Sequence, residues 1–306
     1  MADAQPQPAD ANSPPIHNVI RVENLVKRFD GRAVLDGINL RITPGETMII
    51  MGGSGSGKST LLRCIIGSLT PEEGSIFVLG QDVTRLKSAQ LDEVRKKFGI
   101  LFQSGALFNS MTLRQNVALP LEEHTDLPAN VIDIMVKIKL EMVGLREHAD
   151  KYPSQISGGM KKRAGLARAL SMDPQILFYD EPSAGLDPVT SAEIDQLIIS
   201  LSKQLGVTSV VVTHEMDSAF TIADRMAMLD KGRMLCVETR DYFDHLRKSE
   251  GTGLSEDEQL IRQFLRGDAE GPITQRKQTT GYEEDLFGML VPEPVIPAVV
   301  ATRRKT

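Results

Sequence analysis

Short apolar runs mark the strands that the sequence predicts. They lie at 46–51, 175–180, 207–213 and 225–229, and each is short enough for a buried strand of a parallel sheet. After the last of these runs, a hairpin signal at 230–233 leads to a further strand. The pattern predicts an α/β core.

Two other patterns flank this core. Strand-like runs at 19–22 and 38–42 predict an antiparallel β portion before it. Positions from about 104 to 172 are mostly helix-forming, and 130–143 carries apolar residues at helical spacing. Those residues are Val131, Ile134, Met135, Ile138 and Met142. We expect the methionines of this region to fill its core.

The two ends of the chain differ from the ordered domain predicted at 17–267. Residues 1–16 are rich in Pro, Ala, Gln and Asp, which predicts a disordered segment. In 268–306, prolines at 292, 294 and 297 argue against a long helix or a central strand. Apolar residues recur there at near-helical intervals, which predicts a docking element; the alternative is a solvated tail. These residues are Tyr282, Leu286, Phe287 and Leu290.

A glycine-rich loop follows the run at 46–51 and precedes a helix-forming stretch. It fits the phosphate-loop pattern G-x-x-x-x-G-K-[ST] without a mismatch. Glycines let backbone N–H groups turn toward one anion, and the helix N-terminus adds partial positive charge. Lys58 can reach the β- and γ-phosphates, and the Ser59 hydroxyl can ligate Mg²⁺. The predicted site for a nucleoside triphosphate comprises Gly52, Gly53, Ser54, Gly55, Ser56, Gly57, Lys58, Ser59 and Thr60.

Two adjacent acids end the apolar run at 175–180. Ligands bind at the carboxyl ends of strands in open parallel sheets, so this is where a nucleotide would meet them. Because side chains alternate along a strand, Asp180 and Glu181 cannot have the same role. We assign Asp180 to the Mg²⁺ shell and Glu181 to the general base that polarises the attacking water.

A second anion site is predicted upstream of the acids. Ser157 is a plausible helix N-cap, Gly158 and Gly159 follow it, and the next stretch is helix-prone with basic residues on one side. A serine, two glycines and a helix N-terminus together suit a phosphate. Two phosphate-binding devices in one chain indicate that two chains share each nucleotide.

With the phosphate loop, the acidic pair and the second anion site, the chain resembles the ATP-binding subunit of an ABC transporter. The resemblance covers residues 18 to 245 and implies a P-loop ABC ATPase fold with an antiparallel β portion, a RecA-like core and a helical subdomain at about 104–172. Walker A corresponds to 52–59, Walker B to 176–180 and the signature loop to 156–160.

The same resemblance implies roles for residues that would attract no notice alone. Gln103 corresponds to the Q-loop glutamine, which contacts both nucleotide and Mg²⁺, and Asp187 belongs to the D-loop. His214 corresponds to the switch histidine and joins Glu181 as a catalytic residue. Phe29 fits the aromatic residue that stacks on adenine. The implied cofactors are ATP and Mg²⁺, and the implied activity is ATP hydrolysis coupled to transport.

One departure from the family pattern narrows the resemblance. Met160 replaces the glutamine that usually ends the signature, and a flexible thioether there suits packing rather than a polar role. A signature ending in methionine resembles the MlaF-like branch that serves MCE-type lipid transport systems. The implied partners are a second copy of the chain, integral membrane permease subunits, an MCE substrate-binding subunit and a small accessory subunit.

Charge and hydropathy fit such a subunit. The chain has 306 residues and a net charge of −6, so it lacks the global basic surface that nucleic-acid binding favours. It contains no apolar run near the ~18–20 residues that span a bilayer. We therefore expect a peripheral protein on the cytoplasmic face of the inner membrane, with other chains forming the path.

Two alternative functions remain open. Within the same family, the chain could power an importer of a small polar solute. From a different class, it could be a soluble ABC protein that acts on ribosomes or DNA. That class usually has two cassettes in one chain or inserted nucleic-acid-binding elements, whereas this sequence has one cassette and no basic insert.

Overall fold

The computed structural model describes residues 18–274. They belong to two compact units, one ending at Ser249 and the other beginning at Glu250. The strands are β1 (Ile20–Phe29), β2 (Arg32–Ile42), β3 (Thr47–Met51), β4 (Glu73–Val78), β5 (Gln81–Asp82), β6 (Phe98–Leu101), β7 (Ile176–Asp180), β8 (Thr208–Val212), β9 (Arg225–Asp230) and β10 (Arg233–Thr239).

The helices of the same range are distributed between the strands and after them. They are α1 (Lys58–Ile65), α2 (Ser88–Arg95), α3 (Leu113–His124), α4 (Ala129–Met142), α5 (Gly158–Ala169), α6 (Pro188–Leu205), α7 (Met216–Ile222), α8 (Arg240–Lys248) and α9 (Glu256–Arg266), with 3₁₀ turns at Arg146–His148 and Pro153–Gln155. Within the described range, none of them combines the length and apolarity needed to pass through a bilayer.

The strands form two sheets. An antiparallel sheet has the order β2-β1-β4-β5, and a second sheet has the order β10-β9-β3-β8-β7-β6. The second sheet is parallel apart from β10, which pairs antiparallel with β9. Both the antiparallel portion and the parallel core that the sequence predicts are therefore present.

The register of the parallel sheet brings several loops to one edge. Val212 on β8 pairs with Ile50 on β3 and with Asp180 on β7. The carboxyl ends of these three strands are thus level, and the loops that follow them emerge side by side. This is where an open parallel sheet binds its ligands.

Burial explains why the central strands read as unbroken apolar runs. β3 and β8 are buried at every position because both faces of the sheet are covered. One hydrophobic cluster includes residues of both sheets, among them Ile38 of β2 and Ile50 of β3. The shared core fixes the antiparallel sheet against the central one.

The helix predicted at 130–143 is present as α4, but its buried face differs from the predicted stripe. Ile132, Val136 and Leu140 are buried, whereas the side chains of Ile134 and Ile138 are 55% and 51% exposed. The helix carries two overlapping apolar stripes, and only one of them packs against α3 and α5.

The second unit is built on α9. Ser255 and Glu258 form a capping box at its start, and Gly267 ends it with a φ of 68°. The Gln263 side chain accepts a hydrogen bond from the Ile273 backbone N–H (2.7 Å) and donates to the Asp268 carbonyl (3.1 Å). Residues 268–274 therefore fold back onto α9. The predicted docking residues at 282–290 lie outside the described residues, as does the whole of the predicted disordered segment 1–16.

Candidate nucleotide-binding and catalytic site

The phosphate loop connects β3 to α1, and two of its glycines, Gly52 and Gly57, could not be replaced without strain. Gly52 has a φ of 152° and Gly57 a φ of 108°. A Cβ atom on Gly52 would clash with the carbonyl oxygen of Leu229, and one on Gly57 would lie 2.9 Å from the carbonyl oxygen of Val34. The backbone conformation and the close packing both require glycine at these two positions.

A neighbouring hairpin holds this loop in place. The turn between β9 and β10 has positive φ at Lys231 and Gly232, as a type I′ hairpin requires. The Gly232 N–H donates to the Ser56 carbonyl (3.0 Å), and the Gly232 carbonyl accepts from the Asp36 N–H (2.8 Å). The loop is thus anchored to both sheets before any ligand binds.

Two serines of the loop suit a phosphate and its metal ion. The Ser56 hydroxyl is buried and has no hydrogen-bond partner among the described residues. Such a group normally has a partner, and a phosphate oxygen would supply one. Ser59 is exposed in the first turn of α1, where its hydroxyl is free to reach a cation. The loop therefore fits a nucleotide with its divalent cation.

Lys58 lies at the start of α1 and is largely buried. Its Nζ atom donates to the carbonyl oxygens of Gly52 (2.9 Å) and Gly53 (3.0 Å). Burial lowers the pKa of Lys58, and the nearby carboxylates of Glu181 and Asp180 oppose that shift. The predicted phosphate-binding lysine and the two predicted acids are thus electrostatic neighbours.

Asp180, the first of the two adjacent acids, is half-buried at the end of β7. Burial is the main cause that raises the pKa of Asp180, with the charge of Glu181 acting in the same direction; Arg63 and Lys58 oppose it. A half-buried carboxyl group with a raised pKa would be stabilised by a cation bound beside it. Oxygen ligands are also what Mg²⁺ prefers. Asp180 therefore fits a magnesium ligand.

Glu181 and His214 are brought together across the neighbouring strands β7 and β8. The His214 Nδ1 atom lies 2.8 Å from Oε1 of Glu181, and the His214 backbone N–H points at Oε2 at 3.4 Å. The Glu181 side chain is 13% exposed, whereas His214 is 59% exposed. The glutamate is therefore the more buried of the two, and the histidine is the more exposed.

The signature residues lie at the N-terminus of α5 and pack against the D-loop of the same chain. The Ser157 hydroxyl caps the helix by accepting from the Met160 N–H (3.3 Å). Among the described residues, the nearest neighbour of a Cβ on Gly158 would be Leu186 (3.6 Å), and one on Gly159 would overlap Thr190. These neighbours are not in the phosphate loop, so one chain does not bring its two predicted anion sites together.

Asp187 has a structural contact that the sequence does not predict. Its carboxylate caps α6 by accepting from the N–H groups of Val189 and Thr190 (both 3.1 Å) and from the Thr190 hydroxyl (2.6 Å). The Thr190 bonds lower the pKa of Asp187, the hydroxyl contributing most. A nucleotide contact by this carboxylate would have to coexist with its role as helix cap.

The chain is similar in sequence to proteins of known family. A family profile described as "ABC transporter" matches residues 35–184. The Intermembrane phospholipid transport system ATP-binding protein MlaF of Haemophilus influenzae is 42% identical over 270 residues, covering 88% of this chain and 98% of the relative.

The chain belongs to the ABC transporter ATP-binding family.

A second relative of this ABC subunit is named for a different transported substrate. The mkl protein of Mycobacterium leprae, named for ribonucleotide transport, is 43% identical over 259 residues, which cover 85% of this chain and 72% of the relative.

Solved ABC cassettes share the fold. A dimeric MJ0796 cassette bound to ADP and Pi is 32% identical with a TM-score of 0.67, covering 72% of this chain and 98% of that one. The cbiO1 protein of Clostridium perfringens is also 32% identical, with a TM-score of 0.70 and coverages of 76% and 94%. The predicted ABC ATPase fold and the predicted activity, ATP hydrolysis, are confirmed.

Two predicted nucleotide contacts of the ABC cassette lie at its periphery. Gln103 is exposed just after β6, whose residue Leu101 pairs with Tyr179 of β7. Phe29 ends β1, where its ring is 44% exposed and the Lys27 Nζ lies 5.2 Å from the ring centroid. Their roles toward nucleotide stay predictions.

The segment after Gln103 is fastened to the signature helix of this ABC cassette. The Arg168 side chain donates to the carbonyls of Ala106 (2.8 Å) and Gly105 (3.2 Å). The buried Asn116 amide accepts from the Phe108 N–H (2.8 Å) and donates to backbone carbonyls of the same segment. The helical region is therefore mechanically connected to the Q-loop.

No motif in the sequence points to Lys162, although the structure places it beside the catalytic edge. The residue is 5% exposed, and its Nζ donates to the backbone carbonyls of Glu181 (3.1 Å) and Ala184 (2.7 Å). The available signal is its spacing, because it follows the buried Gly159 by three positions on α5. The sequence predicts that the basic residues of α5 lie on one side of the helix. In the structure one of them, Lys162, is buried.

Proposed function

We propose that this chain is the ATP-hydrolysing subunit of a membrane transporter that moves lipid between membranes. The observation that supports catalysis most directly is the contact of 2.8 Å between Glu181 and His214 at the edge of the sheet that carries the phosphate loop. The lipid assignment rests on the similarity to MlaF, which is named for intermembrane phospholipid transport and is matched over 98% of its length.

ATP would be held by the loop 52–60 and by the positive end of α1. Lys58 would exchange its two carbonyl acceptors for the β- and γ-phosphates. Ser59, Asp180 and Gln103 are the proposed magnesium ligands, and the bound ion would neutralise charge that develops on the transferred phosphoryl group. Phe29 would stack on the adenine.

Glu181 would accept a proton from the attacking water as the general base. A general base must hold a fixed direction toward the water, and His214 provides a contact that fixes the Glu181 carboxylate. The backbone N–H of His214 adds a second restraint on the other carboxylate oxygen. We therefore assign His214 to orienting Glu181.

We propose that the chain works as a homodimer with two shared sites. Ser157, Gly158 and Gly159 present a helix N-terminus that is packed on the D-loop of its own chain. In the dimer they would complete the site whose phosphate loop belongs to the other chain. The MJ0796 cassette is named as dimeric, which supports this arrangement.

The remaining partners follow from the proposed transport function. Permease subunits would contact the surface around Gln103 and residues 104–121, which Arg168 connects to the signature helix. An MCE substrate-binding subunit and a small accessory subunit would complete the complex. The chain itself would be peripheral on the cytoplasmic face of the inner membrane.

A second candidate substrate class has an observation in its favour. The mkl relatives are named for ribonucleotide transport and are as similar in sequence as MlaF. Purification of the intact complex by an affinity tag on this chain would separate the two proposals. Co-purification of phospholipid, together with ATP turnover that phospholipid stimulates, supports lipid transport. Stimulation by ribonucleotides other than ATP, with no bound lipid, would contradict it.

A further inference from the structure

The buried ammonium group of Lys162 has an environment that packing alone does not explain. Its Nζ donates to two backbone carbonyls, those of Glu181 (3.1 Å) and Ala184 (2.7 Å). Burial lowers the pKa of Lys162, and the charges of Glu215 and Glu181 oppose this. Burying a charged amine is costly unless it gains strong interactions. Lys162 obtains them from the catalytic edge of the site.

The bonded carbonyls belong to a tight turn that sets the direction of Glu181. Glu181 has a φ of 51°, which is uncommon for a residue with a side chain. Its N–H donates to Val212 (2.9 Å), and its carbonyl accepts from both Ala184 N–H (3.3 Å) and Lys162. The peptide group after Glu181 is therefore fixed from two sides.

Lys162 is also part of the signature helix. It lies on α5 together with Ser157 at its N-cap, and this helix packs on Thr190 through Gly159. A helix transmits displacement along its axis as a nearly rigid rod, so a shift at Ser157 also moves the Lys162 backbone. The Lys162 side chain thus connects two predicted elements. One is the anion site at Ser157, which would bind the partner's nucleotide, and the other is Glu181, the base for the chain's own nucleotide.

We propose that Lys162 is a positioning residue that holds the backbone of Glu181 and makes its orientation depend on the signature helix α5. The proposal rests on the proposed function, in which Glu181 is the general base and Ser157–Gly159 complete the partner's site. Lys162 touches neither substrate nor reacting atoms. Its effect on hydrolysis passes through Glu181.

Two substitutions that match each other in length, each one atom shorter than lysine, test the hydrogen bonds. Lys162→Met removes the donors, and Lys162→Gln keeps an N–H₂ donor without the charge. Lys161→Met is the matched control, since it removes a charge from the adjacent position of the same helix, where the side chain is partly exposed. The full-length chain is assayed for steady-state ATP hydrolysis, for equilibrium binding of a fluorescent ATP analogue and for thermal unfolding.

Loss of positioning should lower kcat without changing ATP affinity. A misplacement of ~1 Å can cost about 10²-fold, so we expect Lys162→Met to lose tenfold or more in kcat with ATP affinity within about twofold. Charged hydrogen bonds are about twice as strong as neutral ones, so Lys162→Gln should lose about threefold. Lys161→Met should match the wild type. Wild-type kcat in Lys162→Met would overturn the proposal.

A double variant distinguishes positioning of Glu181 from a general structural role. Residues that act through the same group give non-additive losses. Lys162→Met should therefore reduce turnover little further when Glu181→Gln is already present. An equal fold-loss in both backgrounds would mean that Lys162 acts elsewhere.

Two further outcomes are also decisive. If Lys162→Met did not fold, Lys162→Gln would decide alone: reduced kcat with unchanged affinity supports the proposal, and wild-type kcat overturns it. If Glu181→Gln itself hydrolysed ATP like the wild type, the proposed role of Glu181 as general base would fail, and the role of Lys162 with it. Failure confined to the Lys162 variants would leave the proposed function intact.

Discussion

The Nδ1 atom of His214 lies 2.8 Å from Oε1 of Glu181. The two residues follow the adjacent strands β8 and β7, which end level because Val212 pairs with Asp180. The contact therefore follows from strand register rather than from proximity in sequence. It restrains the Glu181 carboxylate, and a restrained carboxylate is what a general base requires.

We predict that Glu181→Gln keeps ATP binding and loses turnover. The amide has the shape of the carboxylate but cannot accept the proton of the attacking water. A general base contributes about 10²–10⁴-fold, so kcat should fall by that factor while the ATP-bound dimer accumulates. Single-turnover hydrolysis and size-exclusion chromatography with ATP measure both effects. Turnover within about threefold of the wild type would remove Glu181 from the catalytic role.

Lys58→Ala should instead weaken ATP binding, because the phosphates lose a direct cationic contact.

The Ser157→Arg variant tests the shared site. Nucleotide binding to the isolated chain should remain, because the signature contacts the D-loop of its own chain and not the phosphate loop. Hydrolysis should collapse, since a bulky cation blocks the approach of α5 to the partner's γ-phosphate.

A mixed dimer provides the control for this prediction. When one chain carries Ser157→Arg and the other Lys58→Ala, one shared site loses both halves and the other keeps both. Turnover should then be regained relative to either homodimer, as measured after tagging the two chains differently. If Ser157→Arg already abolished ATP binding by the isolated chain, the shared geometry would be refuted.

Two neighbouring glycines of the phosphate loop should respond differently to the same substitution. A methyl group on Gly52 would overlap the Leu229 carbonyl at a φ of 152°, whereas the space around Gly53 is open to 4 Å. Overpacking of this kind costs about 1–3 kcal/mol or more. Chemical denaturation should therefore show a clear loss of stability for Gly52→Ala and a change within about 0.5 kcal/mol for Gly53→Ala. Equal effects of the two substitutions would mean that the loop relaxes around both.

The central strands and the phosphate loop are predictable because their signals are local. β3 is buried on both faces and so reads as an apolar run, and the loop after it contains its own glycines and lysine. The order of the motifs then predicts the position of Glu181 and His214 at one edge, although only the pairing of β7 with β8 brings them into contact.

Other features depend on contacts between distant segments. On α4 two apolar stripes overlap, so sequence periodicity alone cannot decide between Ile134 and Ile132 as the buried side. Lys162 is buried only because carbonyl oxygens of the turn after β7 accept from it, and no pattern on α5 reveals those acceptors. For Asp187 the family resemblance predicts a contact with nucleotide. In the structure its carboxylate caps α6 through local contacts with Val189 and Thr190.

A buried carboxyl group on α6 gives the fold a defined pH dependence. Asp195 on α6 is 4% exposed, and its Oδ1 atom has no hydrogen-bond partner among the described residues. Burial is the main cause that raises its pKa; a hydrogen bond with Ser218 opposes the shift, and the charge of Glu215 adds to it.

The direction of the pH effect follows from this raised pKa. The folded state binds the Asp195 proton more tightly than the unfolded chain, whose aspartates titrate near ~3.9. The favourable contribution to folding is therefore complete below that value and is lost as the pH rises through the raised folded-state pKa. At any pH above that folded-state pKa the fold has to accommodate a buried, ionised carboxylate, which costs free energy.

We therefore predict that Asp195→Asn stabilises the protein more at neutral than at acid pH. The amide has the same shape and stays neutral, so it escapes the cost of ionisation. The difference in unfolding midpoint, variant minus wild type, should grow as the pH is raised from about 3.9, where unfolded aspartate titrates, through the raised folded-state pKa, and should then level off. Using this difference removes any constant contribution from the new N–H₂ group. A difference for Asp195→Asn that shrank with rising pH would mean that the carboxylate is stabilised in the folded state, contrary to its environment.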